Sequence, residues 1–92
     1  MNINMNNSKF IIVINHYIND DPRNGSHVDV TYFKKISTDG KILFDLTHNI
    51  WEAAKFDTAD EINVKNFAEF IRNSFPKKHH SIEVKEININ IV

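Results

Sequence analysis

Five histidines, two of them adjacent at His79 and His80, are the first residues in this 92-residue chain to invite a chemical reading, because imidazole is a common metal ligand. Adjacent side chains point in different directions on a strand or a helix, however. No Glu-x-x-His, His-Glu-x-x-His or His-x-Glu spacing supplies further ligands. The histidines read as structural or surface residues. The loop Asn19 to Ser26 offers oxygen ligands before Gly25, as a calcium loop would, but Pro22 and Arg23 occupy ligand positions and no bidentate Glu follows, so it reads as a turn.

Nucleophilic catalysis needs a hydroxyl or thiol, a base and an orienting acid brought together. The chain has no Cys, no Gly-x-Ser-x-Gly elbow and only two glycines, too few for a phosphate-cradling loop or a dinucleotide fingerprint. The expectation is a protein that is not an enzyme and carries no cofactor or metal.

Two binding surfaces compete for the remaining chemistry. Tyr32, Phe33, Lys34 and Lys35 set aromatic rings beside cations, and Lys77, Lys78, His79 and His80 could add charge, which together would suit nucleic acid through stacking and a local cationic groove. The aromatic signature of an RNA-recognition sheet is absent, though, and exposed strand lysines ordinarily serve to keep edges soluble. For protein binding the candidates are Phe33 with Asp29, Thr31 and Lys35, on the side of their strand opposite its aliphatic stripe. An acidic patch of Asp45, Glu52, Asp57, Asp60 and Glu61 could imitate phosphates, but helix capping and the helix dipole account for most of it.

Composition sets the frame. Eleven basic against twelve acidic residues give a net charge of −1, so no global field draws the chain to nucleic acid or a membrane. A 41% hydrophobic content with seven Phe suits one packed interior, and 92 residues leave room for a single domain, with residues 1–7 as a loose tail. The lack of Cys, of a basic-apolar leader and of any stretch of about 20 apolar residues leads to a cytoplasmic expectation with no membrane contact.

The elements that must position these residues follow from periodicity. Ser8 to Ile18 is apolar on both alternating faces and suits a central strand. His27 to Ile36 alternates, with Val28, Val30, Tyr32 and Ile36 predicted to face the core. Asp39-Gly40 predicts a tight hairpin to a third strand over Lys41 to Leu46. Asn49 can cap a short turn through Trp51, and Thr58-Ala-Asp-Glu61 reads as a capping box opening a helix that Pro76 ends. Val64, Phe67, Ala68, Phe70, Ile71 and Phe75 share one half of that helix, and Ile62 is the misfit. In the last segment, Ser81 to Val92, the apolar phase changes after Val84, which predicts a bulge near Lys85 and Glu86.

These elements predict an α+β domain of order β-β-β-α-β: a four-stranded, mostly antiparallel sheet of order 3-2-1-4 with one main helix on one face. A right-handed crossover would place the last strand parallel to the first. The reverse face is expected to stay open.

The stretch Tyr32 to Phe44, followed by Ile50-Trp-Glu-Ala-Ala-Lys-Phe-Asp-Thr-Ala-Asp-Glu61 and Phe67-Ala-Glu-Phe-Ile71, resembles a pattern in small phage-encoded accessory proteins of low-GC bacteria. In that pattern a hairpin leads to a turn, a capped helix and a closing strand. Ile62-Asn-Val64 departs from it at the start of the helix. The resemblance spans roughly residues 28 to 92 and transfers no site residues. It implies an accessory protein that binds a host protein or complex, such as an inhibitor of a host nuclease or defence complex of the anti-CRISPR kind. Homodimer formation through the sheet face or an edge strand is a further expectation.

Overall fold

The computed structural model describes residues 8–21, 25–38 and 42–88. Along the chain run β1 (Ser8–Asp21), β2 (Gly25–Thr38), β3 (Ile42–Thr47), a 3₁₀ turn (Ile50–Glu52), a two-residue β4 (Phe56–Asp57), a second 3₁₀ turn (Thr58–Asp60), α1 (Glu61–Ser74) and β5 (His80–Asn88). The fold is α+β, with an antiparallel sheet and one main helix. The loop predicted over Asn19 to Ser26 is shorter than expected, since residues 19–21 continue β1 and residues 25–26 begin β2. Residues 22–24, Asp39-Gly40 and the chain past Asn88 lie outside the described residues.

β1 is the central strand that its two-sided apolar pattern predicts. On one edge it pairs with β2, from Val13 opposite Tyr32 to Asp21 opposite Gly25, and below that with β4, at Lys9 and Phe10. β5 occupies the other edge, from Ser8 opposite Asn88 to His16 opposite His80, and β3 lies outside β2. The closing strand thus takes its expected place beside β1, but it runs antiparallel, not parallel. The reason lies in the segment 48–57. After β3 it carries the chain back to the start of β1, where Phe56 pairs with Phe10. The helix then uses the return journey along β1, and β5 must come back down.

The helix face of the sheet holds the larger core. Ile12, Ile14, Phe33 and Ile82 are buried there against Val64, Ala68 and Ile71 of α1, with Phe10, Phe44, Leu46, Phe56, Phe67, Phe75 and Val84 packed around them. Val64, Ala68 and Ile71 recur at helical spacing, and Ile62 is exposed as the periodicity requires. Phe75 is extended before Pro76, which ends the helix. The capping box does not form: neither Asp57 nor Asp60, the residues at the helical starts, makes a side-chain cap, because a 3₁₀ turn occupies Thr58–Asp60.

Two strand assignments are corrected. β2 presents the face opposite to the one its valines suggest: Ile14 lies opposite Thr31, which turns Thr31 and Phe33 to the helix and Val28 and Val30 away. Phe33 is only 5% exposed, with ring centroids 5.0 Å from Phe67, 6.3 Å from Phe44 and 6.4 Å from Phe56. An aromatic side chain buries more area than a valine and gains further from edge-on packing, so Phe33 decides which face is core. Thr31 is buried beside it, and its hydroxyl donates to the Ile14 carbonyl at 3.0 Å.

The bulge lies not near Lys85 and Glu86 but in β2, between Phe33 and Lys35, where the register against β3 shifts. It lets Phe33 and Ile36 pair with Leu46 and Phe44, which both pack against the helix-side core. β5 needs no bulge, because both its faces are used: Ile82 and Val84 turn to the helix, and Ile87 packs on the reverse side.

Candidate protein-binding surface

The reverse face of the sheet is sealed at one end and open at the other. Ile11 and Val13 are buried there under Ala53, with Ile50, Tyr32 and Ile87 around them. The cover is the chain leaving β3. It passes over the reverse face through Ile50 and Ala53, then drops into the gap where β1 and β2 diverge, where the Ala54 amide donates to the Phe33 carbonyl at 2.9 Å. Ala53 belongs to the reverse-side cluster and Ala54 to the helix-side core, so the chain crosses the sheet between these two residues. The reverse face expected to be open is therefore partly closed by the protein itself.

Trp51 lies in the turn of that cover, between Ile50 and Ala53. It is the only tryptophan in the chain and is 70% exposed, while its neighbour Ala53 is buried. The turn carrying it is pinned from both sides. Asn49 caps it as the sequence predicts, its Oδ1 accepting from the Trp51 amide at 3.0 Å. The Asn49 amide donates to Thr47 Oγ1 at 3.1 Å, and the Thr47 hydroxyl donates to Glu52 Oε2 at 2.9 Å. The Lys55 ammonium donates to the carbonyls of Trp51 at 2.8 Å and Ala53 at 3.0 Å, satisfying acceptors that a single 3₁₀ turn leaves free.

Beyond the cover the reverse face is open over the β1–β2 ribbon. Tyr17 (39% exposed) lies opposite Val28 (48%), and Val30 (40%) follows two positions along β2. The Tyr17 hydroxyl meets Ser81 Oγ at 2.9 Å, and Asn15 donates to the same oxygen at 3.2 Å, which fixes the tyrosine against the sheet. Here one aromatic ring with a polar tip, Tyr17, stands beside the aliphatic Val28 and Val30, a combination suited to protein contact. Glu83 and Lys85 of β5, opposite Val13 and Ile11, put charge on the same face.

The residues singled out from sequence are dispersed. Of the partner-binding candidates, Phe33 and Thr31 are interior, Asp29 meets His48 at 3.1 Å, and Lys35 lies 3.9 Å from Asp45. Phe33 and Thr31 are thereby withdrawn from any docking surface. The nucleic-acid candidates separate as well: Phe33 is on the helix side, Tyr32 is half-buried beside Ala53, and Lys34 lies 3.9 Å from Glu52. Lys77, Lys78 and His79 are exposed in the turn before β5, while His80 is half-buried. The His80 ring stacks on His16 at 4.5 Å, in register with Asp29, six residues or about 20 Å along β2 from Lys35. No single aromatic and cationic platform results.

His80 Nδ1 donates to the Pro76 carbonyl at 3.1 Å, and among the described residues no group of three or more His, Cys, Asp or Glu side chains could hold a metal ion. Of the acidic patch, Glu52 and Asp45 face lysines, and Asp57 pairs with Lys9. Among the described residues no helix is long and apolar enough to cross a membrane.

Sequence reasoning gave Trp51 and Tyr17 no binding role and assigned Val28 and Val30 to the core, where the structure leaves them exposed. The signal available for Trp51 was its place two residues after a capping Asn, in a connector with no repeating apolar face of its own. No protein-family model, curated protein or solved structure matches this chain.

Proposed function

We propose that this protein is a non-catalytic protein-binding domain that engages its partner through the reverse face of the sheet, with Trp51 as the central anchor and Tyr17, Val28 and Val30 extending the contact. The observation that carries this reading is a single tryptophan held 70% exposed on a turn fixed by hydrogen bonds at both ends. An exposed indole gains nothing for folding by being ordered, whereas tryptophan is among the residues that most often dominate binding energy when a partner covers it. The resemblance to phage accessory proteins directs the search for that partner to host nucleases and defence complexes.

The test is affinity capture from host lysate with the intact protein and with Trp51→Ala, followed by fluorescence titration of the captured partner into the intact protein. Partner recovery that depends on Trp51, and a blue shift of its emission on binding, are expected. Equal recovery by both proteins, or emission unchanged at saturation, would overturn the reading.

A further inference from the structure

The turn that displays Trp51 holds more polar bonds than a three-residue 3₁₀ segment needs to exist. Asn49 fixes the Trp51 amide and Lys55 fixes the Trp51 carbonyl, so both peptide groups flanking the indole-bearing Cα are held. The second bond from Lys55, to the Ala53 carbonyl, ties that clamp to a residue buried against Ile11 and Val13. The Lys55 ammonium meets no carboxylate among the described residues, and its two described acceptors are backbone oxygens of this turn. Glu52, next to the indole, is held in the same way by the Thr47 hydroxyl.

We propose that Lys55 and Asn49 are positioning residues that keep Trp51 pre-organised for docking, so that the partner meets an anchor already set and accepts it in a concave, indole-sized apolar pocket. The inference rests on the binding role given to Trp51 above. Ordering an exposed aromatic side chain and its turn before encounter removes an entropic cost from the binding step. Lysine suits the task because its ammonium carries three donors on a flexible stem and can reach two carbonyls at once.

The experiment needs no partner. Nitrogen-15 relaxation of the free, full-length protein reads the order parameter of the Trp51 backbone amide and indole N–H in the intact protein and in Lys55→Met, Asn49→Ala, Lys55→Arg and Asn49→Asp. Thermal unfolding of each variant confirms that it is folded. In the intact protein the Trp51 amide is expected at the rigid level of about 0.85, falling below about 0.6 in Lys55→Met and Asn49→Ala. Lys55→Arg and Asn49→Asp, which keep a donor and an acceptor, should stay near the rigid level. Values for Lys55→Met and Asn49→Ala indistinguishable from the intact protein would overturn the proposal, as would a mobile Trp51 in the intact protein itself. Partner capture that ignores Trp51→Ala would instead refute the binding role and leave these order parameters as measured, so the two failures are separable.

Discussion

The two faces of one sheet reach opposite outcomes from similar side chains. On the helix side, Phe33, Phe44, Phe56 and Phe67 meet ring to ring beneath α1, and the β1 residues Ile12 and Ile14 lie at the bottom of a closed layer. On the other side, Ile11 and Val13 are equally buried, but by a few residues of a connector, and the same strand pair four residues further along is open at Tyr17 and Val28. Burial on this scale depends on whether another element passes overhead, and alternation along a strand cannot report that. A face closed by a helix serves stability. A face closed by a short turn retains room for another molecule.

Substitutions can break this contrast in graded steps. The largest effect belongs to Phe33→Ala, which should lower unfolding free energy by about 3–5 kcal/mol in urea denaturation, as removal of a core aromatic does. A loss below about 0.5 kcal/mol would mean that Phe33 is on the surface and that the faces are exchanged. Ala53→Leu comes next. Overpacking against Ile11 and Val13 should cost about 1–3 kcal/mol, measured in the same way, and a neutral result would show that the cover is loose. Asn49→Ala removes the cap on the Trp51 amide and should cost about 1 kcal/mol, with Asn49→Asp close to the intact protein. Smallest of all is Trp51→Ala, expected within about 0.5 kcal/mol of the intact protein in stability while abolishing partner capture. That pairing of a negligible folding cost with a complete binding loss is the mirror image of Phe33→Ala.

Much of the architecture was legible because it is written in local signals. The apolar run of β1, the β2–β3 hairpin, the Asn49 cap, the stop at Pro76 and the buried stripe Val64, Ala68 and Ile71 each depend on neighbours within a turn or two. What escaped depends on distant partners. Val28, Val30 and Tyr32 form the cleaner aliphatic stripe, yet Phe33 goes inward because Phe67 and Phe56 wait there, more than twenty residues away. The direction of β5 depends on the detour of the segment 48–57, and the apparent phase change in β5 is two half-buried faces, not a bulge. The binding candidates drawn from β2 inherited its inverted face. Trp51 carried no periodic signal at all, since its significance comes from the cover that Ile50 and Ala53 form over the sheet.

The passage of the chain between Ala53 and Ala54 has a thermodynamic corollary. Two residues joined by a single peptide bond are embedded in opposite layers, one against Ile11 and Val13 and one among the phenylalanines. A molecule that clasps Trp51 therefore also holds that stitch in place, and by mass action its affinity for the folded chain appears as resistance to unfolding, roughly 2.7 kcal/mol at a hundredfold excess over Kd. Occupancy at the surface would in this way register in the interior, as a raised melting temperature and slower amide exchange along β1.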